Sequence, residues 1–220
     1  MDGRAVIDAP PTKRREWIAG RLDPLNHGED QDGASPRVID QSPWAVVNPA
    51  APHVPAAVLV GLVERDDGLT VLLTRRSDNL RSHTGQVALP GGRRDPGETA
   101  WQTALREAEE EVGLDPAFVD LVGLMTPFLT GTNYLITPVV GFIRPGFTLT
   151  PNADEVADVF ETPLGFLMDM TNYAEHEIES PDGVTRRFFA ATHDDRYIWG
   201  VTATLLRALY SRLYEVAPGG

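Results

Sequence analysis

The sequence predicts an α+β fold, with mixed strands arranged around one central and one terminal helix rather than an alternating βαβ sheet. Three observations lead there. Short, branched apolar runs at 56–63, 69–74, 119–125, 135–143 and 156–160 are separated by turn residues, the mark of strands. Trp101, Ala104, Leu105, Ala108 and Val112 recur at i, i+3, i+4, i+7 and i+11, the buried stripe of a helix. A second amphipathic run, from about Gly200 to Tyr214, carries Val201, Leu205, Leu209 and Leu213 along one side.

In chain order, Met1 to Thr12 has no apolar run long enough for a signal peptide or membrane span. Lys13 to Leu22 reads as a short helix with Trp17, Ile18 and Leu22 as its apolar side. From Asp23 to Pro55, six prolines interspersed with Asn, Asp and Gly give an irregular segment, either free or pinned across a surface by Trp44 and Val46. Ala56–Val63 and Leu69–Thr74 flank Asp66-Asp67-Gly68 and read as a hairpin. Asp78 to Gly85 is loop. Thr99 to Val112 is the central helix, and Gly113 stands where a left-handed cap belongs. Val119–Met125, Leu135–Ile143 and Val156–Phe160 read as strands, with a short helix around Pro163 to Met168. Ile178 and Arg187–Thr192 suggest a second hairpin, turning at Pro181-Asp182-Gly183.

Composition removes several chemistries. The 220 residues contain no cysteine, which excludes disulfide scaffolds, zinc–thiolate and iron–sulfur sites, and a cysteine nucleophile. Of the basic residues 18 are arginine and one, Lys13, is lysine, so lysine-nucleophile chemistry has a single candidate. The formal net charge is −13. That argues against nucleic-acid and acidic-membrane partners, whose phosphates require massed positive charge. With no leader-like segment and no peroxisomal address at the C-terminus, the expected location is cytoplasmic.

The acids are not spread evenly. In Arg106-Glu107-Ala108-Glu109-Glu110-Glu111, residues 107, 110 and 111 share one side of the helix, where like charges at i, i+3 and i, i+4 repel. A divalent cation would relieve that repulsion, and hard carboxylate oxygens suit Mg²⁺ or Mn²⁺. A solvated acidic face is the plainer reading of such a run. Against it stands Pro90-Gly91-Gly92 upstream, a loop whose backbone N–H groups can approach an anion closely. Phosphate chemistry with a metal needs such a pair of features.

Gly92, five residues, Glu98, seven residues, then Arg106-Glu107-Ala108-Glu109-Glu110-Glu111-Val112-Gly113-Leu114 resembles the Nudix box. That box is the signature of hydrolases acting on a nucleoside diphosphate linked to another group. The soft departure is Ala108, where the pattern has a bulkier aliphatic residue. The resemblance implies a Nudix fold, a mixed β-sheet sandwiched between helices. It also implies that Glu107, Glu110 and Glu111 bind Mg²⁺ or Mn²⁺, and that Arg106 holds the catalytic helix through its neighbours. Glu155, in Asn152-Ala153-Asp154-Glu155-Val156, is a candidate to position the attacking water, against the plainer reading of an exposed loop acid.

Leu72-Leu73-Thr74-Arg75-Arg76-Ser77, then Arg81, Gly85 and Leu89-Pro90-Gly91-Gly92, is similar to the element that precedes the box in coenzyme A pyrophosphatases. Leu89 departs from it, since the pattern has Phe there. Glu155 to Phe160 and Ile198-Trp199-Gly200 also resemble that subgroup. Residues 75–94 hold five arginines against Asp78, a local +4 that suits an anionic ligand, and arginine is the better bidentate partner for phosphate. Arg75, Arg76, Arg81, Gly91 and Gly92 are therefore the candidate substrate contacts, with His83 a weaker one and Thr74 and Ser77 read as local caps. The expected substrate is coenzyme A or a thioester, cut at its diphosphate to 3′,5′-ADP and 4′-phosphopantetheine or its acyl form. Another Nudix specificity, such as ADP-ribose, NADH or a nucleotide sugar, remains open. A non-catalytic nucleotide-binding module is disfavoured by the full set of box carboxylates. The expected organisation is an N-terminal extension over 1–53 and a Nudix domain over 54–217. The expected partner is a small coenzyme A-like nucleoside diphosphate, with monomer and homodimer both open.

Overall fold

A computed structural model describes residues 11–25, 38–39, 52–77, 85–179 and 183–215. Its strands are β1 (Val38–Ile39), β2 (Val54–Arg65), β3 (Gly68–Arg76), β4 (Val87–Ala88), β5 (Gly91–Arg93), β6 (Val119–Leu124), β7 (Phe128–Leu129), β8 (Tyr134–Ile143), β9 (Val156–Pro163), β10 (Tyr173–Glu179), β11 (Thr185–His193) and β12 (Arg196–Trp199). The α-helices are α1 (Pro11–Ala19), α2 (Ala100–Val112), α3 (Leu164–Leu167) and α4 (Gly200–Tyr210), the last running on into a π-helical turn at Ser211–Glu215.

The first nine strands form one mixed sheet and the last three a small antiparallel one. β2 and β3 are the expected hairpin, paired from Leu62↔Val71 to Arg65↔Gly68. On its other edge β2 lies parallel to β8 over ten pairs, Val54↔Tyr134 to Val63↔Ile143. β9 runs antiparallel along β3 from Thr70↔Pro163 to Arg76↔Val156. At the open end of the hairpin β4 joins β3 and β5 joins β2, through Ala56↔Arg93 and Val58↔Gly91.

Side chains alternate faces along a strand, so this sheet buries two cores. Ala57, Leu59 and Val63 of β2, with Leu72 of β3, meet Ala100, Ala104, Ala108 and Val112 of α2. Val60 and Leu62, with Val71 and Leu73, meet Ile18 of α1, Leu164 and Leu167 of α3, and Leu205, Leu206 and Leu209 of α4. Helices therefore cover both faces, which is the Nudix arrangement the sequence predicts. Ala108 is fully buried, so the small residue in the box lies against the sheet.

α2 starts at Ala100 because Thr99 is its cap. The Thr99 side chain accepts from the Gln102 N–H, and Gln102 Oε1 accepts from the Thr99 N–H at 2.8 Å, a capping box. Gly113 ends the helix at φ 69°, the left-handed geometry that glycine tolerates.

α1 begins two residues before the expected start and ends at Ala19, three before the expected end, with Ile18 buried within it and Leu22 buried just beyond it. It is clasped by the chain's other end: Arg21 Nε donates to Leu213 O at 2.8 Å, Arg212 pairs with Asp23, and the Trp17 and Tyr214 rings are 5.3 Å apart. β1, parallel to β7, is a strand that the proline-rich composition did not suggest. Trp44 and Val46, the loop residues 78–84 with Arg81 and His83, and the turn residues 181 and 182 lie outside the described residues. Among the described residues no helix is long and apolar enough to cross a membrane.

Candidate active site

α2 turns Glu107 and Glu111 toward the β4–β5 connection, where Pro90-Gly91-Gly92 passes beneath it. Gly91 N–H donates to Glu111 Oε2 at 3.2 Å. A Cβ on Gly92 would stand 2.6 Å from the Glu107 carboxylate, and one on Gly91 2.4 Å from the Ala57 carbonyl. Glycine is required at 91 by the neighbouring strand and at 92 by the carboxylate.

Arg106 ties this region together. Its Nε donates to Glu98 Oε1 at 2.8 Å and its Nη2 to Glu98 Oε2 at 3.0 Å. Nη2 also reaches the Arg93 carbonyl at 3.1 Å. Nη1 donates to Glu107 Oε1 at 2.9 Å and to Glu110 Oε2 at 3.0 Å. Glu98 in turn accepts from Thr103 Oγ1 at 2.8 Å and from the Asp95 N–H at 3.1 Å. These donors, Arg106 foremost, hold the Glu98 carboxyl down to about 2. The box therefore uses Glu98 to anchor the arginine, a role the spacing did not disclose.

Glu111 has the opposite environment. It is only 5% exposed, and burial pushes its carboxyl up to about 7. Glu107 and Glu155 raise it further, while the Gly91 N–H and the charge of Arg76 oppose the rise. Burial also raises Glu107, against the pull of Arg106. The buried Glu111 and the half-buried Glu107, with Glu155 acting on both, are hard oxygen donors whose burial outweighs the pull of Arg106 and Arg76, a donor set that fits a hard divalent cation. Among the described residues no three acidic or histidine side chains already enclose a metal position, and Glu107 and Glu110 are directed to Arg106. Glu107, Glu110 and Glu111 are the residues that could hold the ion.

Glu155 is exposed but close enough for its charge to act on both Glu107 and Glu111. The loop bearing it hangs from the end of α2, through Thr150 N–H to Val112 O at 2.8 Å and Asn152 N–H to Glu111 O at 2.9 Å. Its own carbonyl accepts from Ser77 N–H at 2.8 Å, and Asn152 Nδ2 donates to its carboxylate at 3.1 Å. This joins the end of β3 to the end of α2 and brings Arg76 to the carboxylates. Arg76 Nε is buried and has no hydrogen-bond partner among the described residues. Arg75 lies elsewhere. As the next residue along the strand it lines a cavity with Val87, Arg196 and Trp199. Thr74 is not a cap: its hydroxyl donates across the strand pair to Ala88 O at 3.3 Å. Leu89 is buried in the core, so its departure from the family pattern falls on packing.

The sequence matches the NUDIX domain model over residues 52–180. The chain belongs to the Nudix family. It is similar to the uncharacterized Nudix hydrolase NudL of Yersinia pestis (strain Pestoides F), with 40% identity over 155 residues, 70% of this chain and 77% of that protein. The figures are the same for NudL of Yersinia pseudotuberculosis serotype O:1b (strain IP 31758). Among solved structures, a Nudix hydrolase from M. smegmatis, RenU, is 26% identical with a TM-score of 0.46, covering 53% of this chain and 74% of that one. Nudix hydrolases generally use divalent ions such as Mg²⁺ or Mn²⁺ and act on small nucleoside diphosphate compounds. Within this Nudix domain the arginine–carboxylate network spans the box from Arg93 to Glu110.

Proposed function

We propose that the protein is a Mg²⁺- or Mn²⁺-dependent diphosphatase that cuts coenzyme A or its thioesters into 3′,5′-ADP and 4′-phosphopantetheine, or the acyl form. The observation that carries this reading is the meeting of two sequence elements at one point. The arginine-rich element upstream brings Arg76 into the field of Glu111, and its glycines run beneath Glu107 and Glu111.

In this reading Glu107, Glu110 and Glu111 hold the ion. A bound divalent ion supplies charge neutralisation on the diphosphate oxygens and lowers the pKa of a water. Arg106 keeps the box helix and the Arg93 turn in register. Arg76, with Arg81, takes negative charge on the substrate. Gly92 leaves room between the loop and the Glu107 carboxylate, Gly91 lets the loop lie against β2 with its N–H on Glu111, and Glu155 orients the attacking water. The water oxygen bonds to phosphorus as the bridging P–O bond breaks, giving two phosphate products and releasing a proton.

The test is incubation of the full chain with coenzyme A and Mg²⁺, followed by separation of the products. Release of 3′,5′-ADP, faster from coenzyme A than release of AMP from its 3′-dephospho form, supports the reading. Absence of cleavage alongside turnover of ADP-ribose overturns it.

A further inference from the structure

On the face of the sheet away from the carboxylates, a cavity of about 320 Å³ opens beside the end of β3. Its walls include Arg75, Val87, Asp195, Arg196, Tyr197 and Trp199. That size falls at the lower end for small-ligand sites, ~300–1,000 Å³. The charged groups around it are balanced. Arg196 bonds Asp158 at 2.7 Å and lies 3.5 Å from Asp195, so with Arg75 there are two positive and two negative residues. The cavity is therefore no concentrated anion site.

Aromatic rings distinguish it instead. Tyr197 and Trp199 have centroids 6.4 Å apart and planes tilted by 31°. Trp199 continues to Phe188 at 5.8 Å, and His176 stacks on Phe188 at 5.3 Å. These side chains share one face of the β10–β12 sheet. Tyr197 stands 43% exposed at the cavity, a large exposed ring beside a concave, mixed polar and aromatic wall. Such a surface suits a planar heterocycle, which stacks on a ring whatever its edge pattern.

The cavity is also near enough to the carboxylates to share a ligand with them. Val87, in its wall, lies four residues before Gly91, whose N–H donates to Glu111. Four residues span at most ~14 Å, within the reach of a nucleoside whose diphosphate lies at the carboxylates. Arg75 and Arg76 are the last two residues of β3 and stand on its opposite faces, so the path from cavity to carboxylates runs around the end of the strand and not through the sheet.

We propose that this cavity takes the nucleobase of the substrate, stacked on Tyr197 and Trp199, with its diphosphate at the Glu107–Glu111 cluster. The inference rests on the reading of the substrate as a nucleoside diphosphate compound. It adds base-recognition residues that lie beyond positions 52–180, the stretch matched to the family.

The experiment uses the full chain and two readouts. In Tyr197→Ala, the KM for coenzyme A rises about tenfold, the loss falling on KM rather than kcat, and Tyr197→Phe, which keeps the ring, restores it. Calorimetric binding of adenosine 5′-monophosphate in EDTA weakens by a similar factor in Tyr197→Ala. Asp195→Trp, at a position whose side chain is 82% exposed, fills the mouth and gives the same loss without touching the core. A wild type that binds no adenosine 5′-monophosphate, or Tyr197→Ala and Asp195→Trp matching wild type in both readouts, overturns the proposal. A wild type inert toward coenzyme A whose nucleotide binding is still lost in Tyr197→Ala sinks the coenzyme A reading and keeps the cavity. Turnover of coenzyme A with KM unaffected by either variant does the reverse.

Discussion

Glu98 and Arg106, eight residues apart, are joined by two parallel hydrogen bonds of 2.8 and 3.0 Å. The pair fixes the guanidinium whose remaining nitrogen reaches both Glu107 and Glu110, so an acid outside the proposed metal set decides how two of its members are held.

Removing that acid has a defined acid signature. Because the Glu98 carboxyl is held down to about 2, its contribution is present above about pH 4.5 and lost as pH falls toward 2. Glu98→Gln should cost about 1–2 kcal/mol at pH 7. In urea unfolding, wild type and variant should converge between pH 4.5 and 2. A gap that stays constant across that range refutes the assignment.

Glu111 should behave oppositely. Its carboxyl is raised to about 7, so the metal-free chain loses stability as pH rises from about 4.5 through 7. In EDTA at pH 8, Glu111→Gln should therefore be the more stable protein, by on the order of 2 kcal/mol. Mg²⁺ should raise the melting temperature of the wild type and leave the variant's nearly unchanged. Turnover should fall at least about a hundredfold. A variant retaining near-full rate removes Glu111 from the metal site.

Adjacent glycines should respond differently to alanine. At Gly92 the atoms nearest the new Cβ are the carboxylate of Glu107, the far end of a side chain, so Gly92→Ala should fold normally and lose about tenfold or more in kcat as that carboxylate shifts. At Gly91 the Cβ meets the backbone of Ala57 and Val58. Gly91→Ala should cost about 1–3 kcal/mol of stability. Thermal unfolding beside activity measurement separates the two, and equal stability losses would contradict the difference.

Arg76 is expected to act on substrate charge. Arg76→Ala should raise the KM for coenzyme A about tenfold at low salt and by less at high salt. In EDTA it should also push the Glu111 carboxyl higher, because Arg76 lowers it now. Titration of that carboxyl by NMR checks the second effect independently of turnover.

Much of this was legible before any fold was known. The stripe from Trp101 to Val112, the turn glycine at 113 and the hairpin about Asp66-Asp67 are local patterns, and each reappears within a residue or two. Carboxylates three and four residues apart on a helix share a side whatever surrounds them, so the spacing of Glu107, Glu110 and Glu111 could be read directly, but not that Glu111 is buried while Glu110 stays exposed against Arg106. The partners of those carboxylates could not be read in the same way. Glu98 sat in the motif without a role, because its bond to Arg106 depends on the turn from Asp95 to Thr99.

Arg75 and Arg76 mark where the sequence stops being informative. The two letters are identical, and composition treats them as one positive patch. Pairing of β3 with β4 and β9 assigns them to opposite sides, Arg76 to the carboxylates and Arg75 to the cavity beside Tyr197 and Trp199. The same holds for α1 and the turn after it, whose Arg15 and Arg21 bond Asp120 and Leu213, more than a hundred residues away. Sequence by itself determined the family, the box helix and which acids lie along one side of it, since these follow from spacing along one element. Tertiary structure decided which side each arginine serves and what compensates each charge, because strand register and burial bring together residues that no local period relates.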